Sequence, residues 1–354
     1  MPGPDVLVAG AGMGGLVAAV RARELGAEVA VLEKGDRPGG SMLLSGGFVW
    51  RYREWERFRI ECPGGDPDLQ RLVWERLDAG LAWLEELGAP VLSRETGNPL
   101  TTGVRFDPAG LTAALVARAG EIRLGEALGE LPRDVPVVLA TGGFHADEGL
   151  VREHITPHAT ELVLRGNPWS RGDGLRLGLE RGASLTAGMD EFWGRNMPAP
   201  PARIAPEGFR SLGQSYARHA TVTNVAGDRY TPQTWSEIDV AQWTARQPRA
   251  RAWYAVADEA LGEQVRERTV AELVEAARAA GAPVERRERD TIVEVVAGIT
   301  TTLGGLRSDT RGRVADGLYA VGADAGGIST GGWASTLASA LVFGRIAADA
   351  ALAD

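Results

Sequence analysis

Hydrophobic positions come first in a short apolar run, Val6 to Ala9, of the length and character of a buried parallel strand. Leu16, Val17, Val20 and Leu25 follow at helical spacing, and Glu28-Val-Ala-Val-Leu32 is a second apolar strand. Leu69, Leu72, Val73, Leu77, Leu81 and Leu84 recur every three or four residues and make one apolar face. The spacing predicts helix over 52–88, with Pro67 near its start and Gly88 near its stop. Trp50, Trp55, Trp74 and Trp83 are read as packing residues of that region. Phe106 to Ala119 is a further helix, with Asp107 as N-cap and Pro108 at its first position.

A short strand over 121–124 and a strand over 135–144 ending in glycines come next, then a loop at 167–182 leading into a helix with Asp173 as N-cap. Clean periodicity is lost between Gly188 and Gly208, which is rich in proline and aromatic residues. Short strands (220–224, 253–257) then mix with helices (237–245, 261–280). Near the end, Gly317 to Gly327 reads as a strand, a glycine and an acid, before a helix of small residues. No repeat or low-complexity tract is present.

Strand, helix and parallel strand at the start predict an α/β fold with a Rossmann-like domain. Composition shifts near residue 186, and Gly-rich character returns near residue 300. The expected division is a first domain over 1–186 completed by 296–354, with an inserted α+β domain over 187–295. The formal net charge of −9 leaves no basic surplus for a nucleic-acid partner. The single cysteine, Cys62, excludes an internal disulfide and Cys-rich metal or cluster ligation, and no metal-ligand pattern is seen among the histidines. Only Met1-Pro-Gly-Pro4 precedes the first strand and no uninterrupted run of 18 apolar residues exists, so neither a signal peptide nor a membrane span is expected, with a cytoplasmic location as the default.

The chemistry starts between the first strand and helix. Gly10, Gly12 and Gly15 have G-x-G-x-x-G spacing: the first for a tight turn, the second for backbone approach to a pyrophosphate, the third for close helix packing. The helix N-terminus adds free N–H groups and partial positive charge. Glu33 ends the second strand about 20 residues on, where a carboxylate holds a ribose hydroxyl pair. The following loop, 34–47, carries two Gly-Gly pairs beside serines and can lay N–H groups and hydroxyls along a long cofactor.

These landmarks, with Leu139-Ala-Thr-Gly-Gly143, Gly172-Asp-Gly174, Thr302-Leu-Gly-Gly305, Gly317-Leu-Tyr-Ala-Val-Gly-Ala-Asp324 and Leu341-Val-Phe-Gly-Arg345, resemble the FAD-dependent family of fumarate reductase and succinate dehydrogenase flavoproteins, which includes 3-ketosteroid dehydrogenases. The resemblance implies a discontinuous FAD domain with a mobile cap between its parts. It assigns Gly10, Gly12, Met13, Gly14 and Gly15 to the pyrophosphate and Glu33 with Lys34 to the adenosine side. Gly40, Ser41, Ser45, Gly46 and Gly47 would run along the ribityl and flavin, and Ala140, Thr141, Gly142 and Asp173 beside the adenosine half. Asp324 would hold the ribityl chain, with Gly322, Ser335 and Leu337 near the flavin. The segment 40–47 lacks the histidine of covalently flavinylated members, which implies noncovalent FAD.

Three departures from that family bear on substrate. Its reductases carry an arginine acid where Gly227-Asp-Arg-Tyr-Thr-Pro-Gln-Thr-Trp-Ser-Glu237 places a glutamate. They carry a histidine where Thr300 and Thr301 stand, and a carboxylate-binding arginine where Ser329 or Thr330 stands. A dicarboxylate needs charge-assisted contacts, so fumarate and succinate are not expected, and a neutral or hydrophobic substrate is. The tyrosine that ketosteroid dehydrogenases place near Thr330 is absent too. The expected reaction is dehydrogenation, or the reverse enone reduction, at a CH–CH bond beside a carbonyl, with Arg195, Tyr230, Glu237 and Trp333 as candidate catalytic residues. The alternatives are oxidation of a CH–OH or CH–NH group, or a catalytically silent FAD-binding protein. No second G-x-G-x-x-G follows a strand, so the electron partner is not assigned to NAD(P)H.

Overall fold

The computed structural model describes residues 3–234 and 236–354. Met1, Pro2 and Trp235, the last within the 227–237 run, lie outside the described residues. The chain forms two compact units: one takes the chain up to Asp147, Asn167–Glu191 and Thr301–Asp354, the other Glu148–Gly166 and Phe192–Thr300.

The first unit is built on a six-stranded sheet of β1 (Val6–Ala9), β2 (Val29–Glu33), β3 (Ile122–Leu124), β4 (Val137–Leu139), β5 (Arg313–Ala315) and β6 (Leu318–Ala320), in the order β5-β6-β4-β1-β2-β3. Only β5 and β6 pair antiparallel. Ala9 lies opposite both Leu32 and Leu139. The carboxyl ends of β1, β2 and β4 therefore finish level, and Gly10, Glu33 and Ala140 to Gly142 emerge at one edge, where open α/β sheets bind ligands. Helix α1 (Met13–Glu24) follows β1, and α2 (Thr336–Ala353) closes the chain. The small residues of α2 permit close packing on α1: a Cβ on Gly344 would stand 2.8 Å from the Gly14 carbonyl oxygen and 2.9 Å from Val17 Cγ1. By length and composition alone, α2 is the one helix among the described residues that could cross a membrane, but 67% of it is buried within the protein. A separate antiparallel sheet joins Phe48–Tyr52, Thr101–Phe106 and Val91–Ser93.

The second unit centres on the long strand Asp290–Thr302, with Arg251–Ala257 and Val284–Arg287 antiparallel to it. Thr221–Thr223 extends the sheet beyond Arg251–Ala257. The strands Val163–Leu164 and Phe192–Pro198 also pair with the long strand. A core of Tyr216, Val240, Tyr254, Leu273 and Val293 lies among these strands and the helices of the unit.

Several expectations are corrected. The 52–88 stretch is not one helix: Tyr52 ends a strand, and Pro63-Gly64-Gly65 separates Trp55–Glu61 from Pro67–Glu86. The latter keeps its expected start, with Asp66 capping the N–H groups of Asp68 and Leu69. The 261–280 helix begins only at Val270, because Gln264–Val265 and Arg268–Thr269 form a hairpin and Thr269 with Glu272 makes a capping box. Asp173 is the first helical residue, and Gly172, at φ 75°, is the N-cap. Residues 148–166, placed in the first domain from sequence, belong to the second unit. Their tie is the two-residue strand Val163–Leu164, too short to leave a periodic signal.

Candidate functional site

The first turn is shaped by carbonyl oxygens. Gly10, at φ 108°, passes so close to β4 that a Cβ would stand 2.2 Å from the Ala140 oxygen. A Cβ on Gly15 would stand 1.9 Å from the Gly10 oxygen. At Gly12 a Cβ meets nothing within 4 Å. The turn is thus closed on its protein side at Gly10 and Gly15 and open at Gly12, as a pyrophosphate above the N-terminus of α1 requires. The 34–47 loop lies beside it: Gly39 N–H donates to the Ala11 oxygen at 2.7 Å, and Gly40 abuts Gly12.

Glu33 is 6% exposed at the end of β2 and accepts from the N–H groups of Ala11 and Gly35, each at 2.7 Å. Both oxygens are held by single donors, so lone pairs remain for a ribose diol. Lys34 and Asp173 meet each other at 2.7 Å. Ser41 Oγ accepts from Asn167 N–H at 3.2 Å, and Ser45 Oγ bridges the Met42 oxygen and Gly47 N–H. The Gly46 oxygen accepts from Arg105, while Gly47 backs onto the Phe106 oxygen. Sequence reasoning missed the loop opposite. Trp169, 41% exposed, lies where a Cβ on Gly35 would come within 2.8 Å of its ring, and Ser170 Oγ sits against Gly142. A tryptophan in a loop of Asn, Pro and Ser was the available signal.

Asp324 is held within the scaffold. It is 1% exposed, and its carboxylate accepts from Thr141 N–H, from Thr141 Oγ1 at 3.1 Å and from Gly143 N–H at 3.1 Å. Burial pushes this carboxyl up, against the pull of those donors. Asp324 therefore ties the 141–143 turn to the β6 end. Gly322 and its neighbour Ala323 line a small cavity with Thr302, Ser329, Thr336 and Ser339. Thr302 Oγ1 is buried there with no hydrogen-bond partner among the described residues, as suits a site that takes a polar group. Ser335 caps α2 and donates to the Phe48 oxygen, and Leu337 is half-buried on the core.

A family model described as FAD binding domain matches residues 5–122 and 132–335. The chain belongs to that FAD binding domain family. The probable fumarate reductase Ifc3 of Shewanella frigidimarina (strain NCIMB 400) is 25% identical over 447 residues, covering 98% of this chain and 74% of that protein. A flavocytochrome c3 fumarate reductase in its open conformation has a TM-score of 0.73 at 22% identity, over 99% of this chain and 78% of that one. The 3-ketosteroid-Δ4-(5α)-dehydrogenase of Rhodococcus jostii RHA1 has a TM-score of 0.70 at 19% identity, over 99% and 96%. The open Gly12 face, the Glu33 carboxylate and the unpartnered Thr302 hydroxyl fit the FAD of this family.

The four catalytic candidates are not alike. In the second unit, the Tyr230 hydroxyl donates to Asp239, and together with burial this raises its pKa far above the usual phenol range. Glu237, at φ 55°, precedes the helix Ile238–Ala245 and binds Arg218 N–H and Nε, each at 3.0 Å. Among the described residues Arg195 makes one side-chain hydrogen bond, Nη1 to the Ser236 oxygen at 2.7 Å. In the first unit, Trp333 is half-buried, and its backbone oxygen accepts from Tyr52 at 2.8 Å. Tyr230 and Glu237 are thus bound into the scaffold, and Arg195 keeps donors to spare.

His145, next to the 141–143 turn, is 3% exposed, and burial lowers it to about 4, opposed by the backbone of Asn167. The folded imidazole stays neutral down to that pH, while the unfolded one takes a proton below about 6.5. Stability is therefore present above the unfolded value and is lost as pH falls towards 4, about 3 kcal/mol from this residue. Denaturant titrations between pH 7 and 4 are expected to show that slope, and His145→Leu to remove it.

Proposed function

We propose that the chain acts on a CH–CH bond next to a carbonyl, as a dehydrogenase or an enone reductase, with FAD held noncovalently. The observation that carries the flavin part is the open Gly12 face beside the Glu33 carboxylate, at the shared edge of β1 and β2. The named chemistry of the relatives supports the reaction type, since one likeness is to fumarate reductases and another to ketosteroid dehydrogenases. Bound FAD would supply hydride exchange at its N5. The chain would contribute orientation: Glu33 for the ribose, N–H groups at the start of α1 for the pyrophosphate, and no histidine within 40–47 for covalent attachment. Arg195, with donors left over, suits contact with a substrate oxygen. Two positions where the reductases carry a cationic or histidine group hold neutral hydroxyls here: Ser329 Oγ accepts from Ala334 N–H, and Thr300 Oγ1 accepts from Arg165.

Anaerobic photometry tests this reading. The purified protein is expected to be yellow, to release its flavin on denaturation, and to be bleached by a saturated cyclic ketone or, after dithionite reduction, reoxidised by the matching enone. Flavin that exchanges electrons with alcohols or amines and with no enone or ketone overturns the CH–CH assignment.

A further inference from the structure

The second unit buries positive charge without a matching acid. Arg165 is 6% exposed and Arg195 half-buried, and neither has an ion-pair partner among the described residues. The acid that acts on Arg195, Glu237, is already paired with Arg218. Both guanidinium groups lie over the indole of Trp193, at 5.5 and 5.9 Å from the ring centroid. Arg165 meets only neutral acceptors, Thr300 Oγ1 at 2.9 Å and the Phe209 oxygen at 2.8 Å, and its buried Nε has none. Among the described residues the Nε and Nη2 of Arg195 have none either, which leaves the side of its fork open. Burial and mutual repulsion lower Arg165 to about 9, and burial lowers Arg195 to about 10, so both stay charged at neutral pH. Arg266 and Arg218 add to the field on Arg195, and the charge of Glu237 opposes them in part.

Buried charge is stable only when compensated. We infer that Arg165 and Arg195, around Trp193, form an anion site that takes a single organic carboxylate, with Arg195 as the binding fork and Arg165 as the charge behind it. A planar carboxylate matches the free Nε and Nη2 side of a guanidinium in a bidentate pair. This deepens the oxidoreductase reading and rests on it: the substrate becomes a monocarboxylic acid, in place of the neutral compound expected from sequence. The expectation of neutrality came from three family positions, and these arginines stand at none of them.

Calorimetric titration of the flavin-loaded protein with crotonate, methyl crotonate and inorganic phosphate tests the site without turnover. Crotonate is expected to bind, the ester not to bind, and phosphate to bind more weakly. Arg195→Leu should weaken crotonate by about tenfold or more, with Arg195→Lys between the two because it keeps charge without the fork. Arg165→Met should weaken it as well; if that variant does not fold, the two substitutions at half-buried Arg195 decide the question. Equal binding of ester and acid, tighter phosphate, or unchanged affinity in Arg195→Leu overturns the site. The two readings fail separately. Crotonate binding by a protein whose flavin exchanges no electrons keeps the site and removes the enzyme, and bleaching by a ketone without crotonate binding does the reverse.

Discussion

Gly12→Ala is expected to leave the apoprotein as stable as the parent, within about 0.5 kcal/mol, and to weaken flavin binding by more than about 100-fold, roughly 2.7 kcal/mol. A Cβ at this position meets no protein atom within 4 Å, so folding has no reason to register it. The same methyl group points into the space a pyrophosphate would occupy, and there it displaces the ligand. Gly15→Ala is the contrasting case. Its Cβ would stand 1.9 Å from the Gly10 oxygen and 3.1 Å from Ala140 Cβ, so α1 must move off the turn. That costs about 1–3 kcal/mol of stability, or more, and the flavin is lost with it. Thermal melts of the two apoproteins, beside equilibrium titrations with FAD, separate these outcomes. A Gly12→Ala protein that keeps its flavin places the cofactor elsewhere.

The parts of the fold that sequence made legible are those where one local pattern has one physical meaning. Val6–Ala9, the spaced glycines and the acid ending β2 are such a pattern, because buried parallel strands are uniformly apolar and the turn demands glycine. Asp107 and Pro108 are another, a cap and a first helical residue whose geometry is set within four positions. What sequence could not show depends on partners far away in the chain. Val163–Leu164 has no pattern of its own and is a strand only because Gly298 and Ile299 lie alongside. Asp324 reads as a free acid after a strand, yet its oxygens are claimed by a turn 181 to 183 residues earlier. Arg165 is invisible in sequence, since one arginine in a chain with many carries no signal. Its significance comes from burial beside Trp193 and Arg195, which only the folded unit brings together.

Glu33→Ala is expected to lower the stability of the flavin-free protein by about 3 kcal/mol and to weaken FAD selectively over FMN. The stability loss follows from the two N–H groups, of Ala11 and Gly35, whose buried acceptor disappears; each orphaned donor costs about 1–3 kcal/mol. Glu33→Gln keeps one acceptor oxygen and should recover roughly half of that. The selectivity follows from position. Glu33 closes β2 beside the first turn, on the side where the adenosine ribose lies in such folds, and FMN has no adenosine. Loss of the carboxylate therefore removes a contact that FAD makes and FMN cannot. Denaturant midpoints of the apoprotein measure the first effect, and parallel titrations with FAD and FMN the second. If the variant is destabilised but its preference for FAD over FMN is unchanged, Glu33 is a brace for the first turn and the ribose is held by other groups, with the Trp169 loop against Gly35 the nearest to examine.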